Sequence, residues 1–225
     1  MKIKKKKIFI ACDTTDPNKI KQIIKKTQNS KINFGYKFGL QFLNSKNGRK
    51  FVSNLKNKIT FGDYKLADIP NTCVSAVKAV RDLKLNYITI HISSGLKALK
   101  AVKRVSGKTK LVGVTILTSL DNKSLKEIGF DKNLKKLVQH QARLATKAKL
   151  DAIVCSAHEI KIVRRVFKKE IITPGIRLLG DSKGDQKRVM SPKQAFYNGA
   201  TALVMGRSLT DNIEKNIKKL IKDLN

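Results

Sequence analysis

The stretch KITFGDYKLADIPNTCVSAVKAVRDLK, residues 58–84, decides how the chain folds. Its first part, 58–65, reads as a β-strand, and 70–84 carries a helical pattern of apolar residues. A strand followed by a helix is one β/α unit, and the unit recurs along the chain. The apolar, β-branched runs are KIFIACD (7–13), NFGYKFG (33–39), KITFGDYK (58–65), NYITIHI (86–92), KLVGVTIL (110–117), DAIVCSA (151–157), EIITPGI (170–176) and TALVMGR (201–207). Each is nearly continuously apolar, as strands of a parallel sheet covered on both faces are. Between them lie amphipathic segments. One begins with Asp16 as an N-cap and Pro17 at the first helical position. Another spans 133–149, and a third opens on Ser191-Pro192 and ends at Gly199. Eight β/α repeats in 225 residues predict a closed (β/α)8 TIM barrel. A doubly wound open sheet is the alternative, but it more often has about five to seven strands. No linker or composition break divides the chain, so residues 1–225 are expected to form a single domain.

The charge is unusual. Lys and Arg number 49 against 16 Asp and Glu, a net +33. Such a balance suggests a polyanion partner. However, the lysines are spread along the chain, mostly on expected helix surfaces such as KALKAVKRV and EKNIKKLIKD. Trp is absent and no aromatic stacking platform interleaves with the basic residues. The pattern favours a solvated basic surface over a specific nucleic-acid site. Cys12, Cys73 and Cys155 are widely spaced and form no CxxC pair, so neither a disulfide framework nor a zinc site is indicated. A reducing, cytoplasmic setting fits. The apolar run behind MKIKKKK is too short for a signal peptide or a membrane span.

In a (β/α)8 barrel, chemistry sits at the C-terminal ends of the strands. The residues expected there are Asp13, Lys37, Asp63 with Lys65, His91, Thr118 with Ser119, Ser156, Arg177 and Arg207. Asp63 and Lys65 are two apart, so regular strand alternation turns both toward the barrel mouth. Asp68 lies past the strand end and is free to reach sideways, even to a neighbouring subunit. A salt-bridged strand end would explain the same cluster. Lys37, on the adjacent strand, adds a second ammonium, and alternating Lys and Asp side chains shift one another's pKa values. His140 and His158 fall in or beside helices and read as surface residues. No Cys/His/carboxylate set has metal-ligand spacing, so no bound metal is expected. Gly206-Arg207 ends the eighth strand, where such barrels commonly hold phosphate on backbone N–H groups and a basic side chain. An exposed strand-end Arg is the equally simple reading. The connection 173–192 is long and Gly-rich, and it contains Gln186 and Arg188. At that length it reads as a lid or a solvated insertion.

Taken together, these residues resemble the orotidine 5′-monophosphate decarboxylase family. D-x-K-x-x-D, here Asp63, Lys65 and Asp68 followed by Ile69-Pro70-Asn71-Thr72, is similar to that family's signature; D-x-K alone is shared with phosphosugar decarboxylases. The fuller match is ACD ending at Asp13, YKFG around Lys37, DIPNT at 68–72, VTILTS at 114–119, VCSAHE at 154–159, TPGIR at 173–177, GDQKR at 184–188 and MGR at 205–207. These occur in the family's order over essentially the whole chain, and resemble the single-function bacterial type. Two departures stand out: Ala67 replaces a common His, and HISSG (91–95) differs from the usual His-Ala-Ser-Gly-Gly.

The resemblance implies decarboxylation of orotidine 5′-monophosphate to uridine 5′-monophosphate without a cofactor. It implies that Lys37, Asp63, Lys65 and Asp68 form a charged tetrad, with Lys65 as proton donor. It also implies a homodimer in which Asp68 and Thr72 cross into the partner's site. Asp13 would hold the ribose hydroxyls, with Ile69 and Thr72 of the other copy. Thr118 would lie beside the pyrimidine, with Ser119 following it, and Pro174 would shape the pocket. Arg177, Gln186, Gly206 and Arg207 would hold the phosphate.

Overall fold

Along the first strand, Phe9 and Ala11 join one core, while Ile8 and Ile10 join another. That alternation is what a strand covered on both faces requires. A computed structural model describes residues 6–178, 180 and 189–225. Its strands are β1 (Lys7–Ala11), β2 (Asn33–Phe38), β3 (Ile59–Leu66), β4 (Tyr87–His91), β5 (Lys110–Val114), β6 (Ala152–Val154), β7 (Glu170–Thr173) and β8 (Ala202–Met205). All pair in parallel, in sequence order, and β8 pairs with β1 to close the barrel. The helices are α1 (Pro17–Thr27), α2 (Leu40–Leu43), α3 (Gly48–Ser53), α4 (Pro70–Ala79), α5 (Gly95–Val105), α6 (Asn122–Glu127), α7 (Leu134–Lys147), α8 (Ile160–Val166), α9 (Pro192–Tyr197), α10 (Arg207–Thr210) and α11 (Ile213–Leu224). The open-sheet alternative is thereby excluded.

Local signals act as expected. Asp16 caps α1, its carboxylate accepting from the Asn18 N–H at 2.8 Å, and Pro17 opens the helix. Ser191 caps α9 in the same way, and Gly199 takes φ 107° just beyond it. His140 and His158 are exposed. β6 and β7 are shorter than their apolar runs. Past Val154 the chain turns into a short 3-10 segment, with Ser156 Oγ accepting from the His158 N–H. Past Thr173, Pro174 has no N–H to donate to a ladder.

The barrel interior is filled by side chains. The rings of Phe61 and Tyr87 meet Phe9 edge-on at 5.0 and 5.1 Å between centroids. Gly35 leaves the space for this stack, since a Cβ there would lie 2.8 Å from the Phe9 ring. Below it, Lys7, Tyr87, Lys110 and Glu170, each at the start of its strand, close the bottom of the barrel. Tyr87 donates to Glu170 at 3.0 Å, Lys7 donates to the Tyr87 hydroxyl at 2.5 Å, and Lys110 pairs with Glu170.

This plug sets an acid limit on stability. Burial would raise the Glu170 pKa. The Lys110 hydrogen bond, the charges of Lys7 and Lys110 and the Tyr87 hydrogen bond outweigh it and hold the carboxyl below its usual range. A depressed native pKa stabilises the fold above the unfolded value, about pH 4, and that contribution is lost as pH falls through the native value. Glu170→Gln is therefore expected to cost about 1–3 kcal/mol at neutral pH, and the deficit should shrink toward zero at the acid end. Urea titrations of both proteins between pH 7 and the acid limit check this; a pH-independent deficit contradicts it.

Candidate active site

The geometry at the barrel mouth is set by an irregularity in β3. Gly62 pairs with Ile88, but the next pairing joins Leu66 to Ile90, so four steps along β3 match two along β4. The surplus is a bulge, and within it Lys65 takes φ 49°, in the left-handed region. Regular alternation is therefore not what brings Asp63 and Lys65 together. The bulge does so, placing Lys65 Nζ 2.6 Å from Asp63 Oδ2.

Lys37 approaches from β2. Its Nζ lies 3.5 Å from the same Asp63 oxygen and 3.4 Å from Asp13 Oδ1. Asp63 is only 8% exposed and Lys37 only 9%. Burial would raise the Asp63 pKa; the charges of Lys37 and Lys65, with hydrogen bonds from Lys65 and Thr89, reverse this and hold it below the usual carboxylate range. Asp63 is thus an anion at neutral pH, between two ammoniums. His91 is half-buried, and burial lowers its pKa. Lys65 lowers it further, against an opposing pull from Asp63, so its neutral form is favoured.

Thr89, in the middle of β4, is the residue the sequence reading missed. It is fully buried; its hydroxyl donates to Asp63 Oδ1 at 3.0 Å and accepts from the Lys65 N–H at 2.7 Å. The available signal was a polar side chain two residues before His91, on the same strand face.

These groups open into a cavity of about 360 Å³. Asp13, Lys37, Asp63, Lys65, Thr118, Pro174, Arg177, Gly206 and Arg207 line it above an apolar floor that includes Ala11, Phe61, Val114, Val154 and Val204. A larger groove of about 600 Å³ between α1 and α3 has no carboxylate in its lining and lies away from the strand ends. The charged cavity, though smaller, is where chemistry is possible. Gly206 leads directly into α10, so Arg207 starts that helix at the rim. Arg177 and Met190 tie the base of the long connection: the Arg177 N–H donates to the Met190 carbonyl at 3.1 Å, and the Met190 N–H to Gly175 at 3.3 Å. Gln186, Arg188 and the rest of the expected lid at 181–188 lie outside the described residues.

Among the described residues, six expected ones do not line this cavity: His91, Ser156, which is fully buried, and four exposed ones. Ser119 is exposed and does not line it. Asp68, Ile69 and Thr72 are exposed around the start of α4, where Asp68 accepts from the Ile69 N–H at 2.7 Å. Ile69 is 66% exposed, an apolar side chain standing in solvent beside the charged cluster. Among the described residues, no group of three or more His, Cys, Asp and Glu side chains is placed to hold a metal ion.

Residues 6–217 match the family model described as "Orotidine 5'-phosphate decarboxylase / HUMPS family". The chain is 40% identical to an orotidine 5′-phosphate decarboxylase of Prochlorococcus marinus (strain MIT 9215), over 96% of this chain and 93% of that protein. It is 41% identical to the protein of the same name from Coxiella burnetii (strain RSA 331 / Henzerling II), over 79% of this chain and 80% of that one. Among solved structures it is similar to orotidine 5′-phosphate decarboxylase from Lactobacillus acidophilus, with TM-score 0.81 and 26% identity over 97% of this chain and 98% of that one. A Methanocaldococcus jannaschii orotidine 5′-monophosphate decarboxylase complexed with the inhibitor BMP shares the fold, with TM-score 0.77 and 22% identity over 97% of this chain and 98% of that one.

Proposed function

This chain belongs to the orotidine 5′-phosphate decarboxylase / HUMPS family, and we propose that it converts orotidine 5′-monophosphate to uridine 5′-monophosphate and carbon dioxide. That is the last step of pyrimidine nucleotide synthesis. The observation that carries this reading is the buried Asp63 carboxylate held between the ammoniums of Lys37 and Lys65 at the barrel mouth.

The reaction explains these residue types. Breaking the bond from C6 to the carboxylate leaves an electron pair in the plane of the pyrimidine, with no adjacent electron sink. The site must supply fixed charge instead. Lys65 stabilises the developing carbanion and transfers one Nζ proton to C6, then regains a proton from solvent. Asp63 holds the Lys65 ammonium in place through their 2.6 Å ion pair, and the charges of Lys37 and Lys65, with the Thr89 hydrogen bond, keep Asp63 ionised. Negative charge near the departing carboxylate also disfavours the ground state. Asp13 takes the ribose hydroxyls, Thr118 lies beside the base with Ser119 following it in the chain, and Pro174 shapes the pocket. Arg177, Gln186, Gly206 and Arg207 take the phosphate, whose binding energy is spent far from the reacting carbon. Asp68, Ile69 and Thr72 serve a second copy in a homodimer, which is why they stand exposed on one chain. We read residues 1–225 as one domain, working in the cytoplasm. Among the described residues, no helix is long and apolar enough to cross a membrane.

The family description also includes HUMPS, and the second reading is a magnesium-dependent phosphosugar lyase. The purified chain is expected to consume orotidine 5′-monophosphate in a spectrophotometric assay, undiminished by EDTA. No consumption, with EDTA-sensitive activity on a keto-sugar phosphate, would select the second reading.

A further inference from the structure

We propose that Thr89 is a positioning residue for the decarboxylation, because its one hydroxyl fixes the main chain of Lys65 and the carboxylate of Asp63 together. This rests on the reading of Lys65 as proton donor. Three observations lead to it. First, the Thr89 side chain is fully buried, so its hydroxyl has no water to exchange partners with. Second, both of its hydrogen bonds lie within the charged cluster: the single O–H proton goes to Asp63 Oδ1, and a lone pair receives the Lys65 N–H. Third, the Lys65 N–H lies within the bulge, where the β3–β4 register shifts and Lys65 adopts a backbone conformation unfavourable for a side-chain-bearing residue. A conformation of that kind persists only where its surroundings hold it, and at this position the Thr89 hydroxyl is a direct restraint.

Loss of the hydroxyl has two consequences. The Lys65 N–H loses its partner, which favours relaxation of the bulge toward extended backbone. Asp63 loses the donor on Oδ1 and is then held only through Oδ2, by Lys65 and Lys37. Both changes move Lys65 Nζ relative to the reacting carbon, while the cavity rim that holds ribose and phosphate is untouched. A displacement of about 1 Å at such a centre costs about 10²-fold in rate.

Thr89→Ser and Thr89→Ala remove the same methyl and differ only by the hydroxyl. Steady-state kinetics on orotidine 5′-monophosphate, with wild type and Lys65→Ala in parallel, is the test, and circular dichroism confirms the fold. Thr89→Ser is expected to keep kcat within about fivefold of wild type, while Thr89→Ala loses about 10²-fold in kcat with KM changed less than about threefold. Equal kcat in Ser and Ala, whether high or low, overturns the proposal, as does a loss expressed in KM alone. Unfolding of Thr89→Ala with Thr89→Ser intact also overturns it, because the hydroxyl would then be needed for the barrel itself. An inactive wild type, or an active Lys65→Ala, would instead sink the functional reading.

Discussion

Lys65→Ala is expected to lower kcat/KM for orotidine 5′-monophosphate by about 10⁴-fold or more, with the fold intact. Two contributions disappear together. A positioned general acid contributes about 10²–10⁴-fold, and a preorganised charge at the developing anion about 10²–10³-fold. The fold should survive because the Lys65 side chain is 33% exposed and fills no core. Asp63 also keeps Lys37 at 3.5 Å and the Thr89 hydroxyl at 3.0 Å, so the remaining carboxylate is not left unpaired. The loss should fall mainly on kcat, since the groups assigned to ribose and phosphate are elsewhere on the cavity wall. Steady-state kinetics with circular dichroism measures both. Activity within tenfold of wild type would remove Lys65 from the proton-transfer role.

If Asp68 belongs to the proposed tetrad, Asp68→Ala is expected to lose about 10²–10³-fold in kcat by removing one fixed charge from it. It should scarcely change stability, because the side chain is exposed. Mixing distinguishes a shared site from a self-contained one. In a two-fold dimer, one site combines Lys65 of one copy with Asp68 of the other. Subunit exchange between Lys65→Ala and Asp68→Ala would build mixed dimers with one site free of both substitutions, restoring up to about a quarter of wild-type activity. Verified exchange with no recovery would show that Asp68 does not act across an interface.

Several parts of the molecule were legible in the sequence for physical reasons. Strands buried on both faces are apolar throughout, so the eight runs stood out against amphipathic helices, and their number pointed to closure. Asp16 and Pro17 act locally, through the next turn of chain, and so could be read locally. Lys37, Asp63 and Lys65 were conspicuous as charge at the ends of apolar runs. The bulge in β3 was not legible, because register belongs to a pair of strands and not to either alone. Two-residue spacing correctly joined Asp63 to Lys65 but assumed a regular pleat. Thr89 was hidden by its type, since threonine is ordinary in strands. The Lys7–Tyr87–Lys110–Glu170 plug takes residues from β1, β4, β5 and β7, and only closure of the barrel reveals it. Ser119 was placed by its neighbour Thr118, but adjacent residues of an irregular segment need not face one cavity.

The central claim is that this chain releases carbon dioxide from C6 and quenches the carbanion with a solvent-exchangeable lysine proton. Its most direct test is product analysis after wild-type turnover of orotidine 5′-monophosphate in deuterium oxide with EDTA present. Uridine 5′-monophosphate carrying one deuterium at C6 and none at C5 is the expected result. Absence of that product, deuterium at C5, or turnover only when a divalent metal is supplied would contradict it.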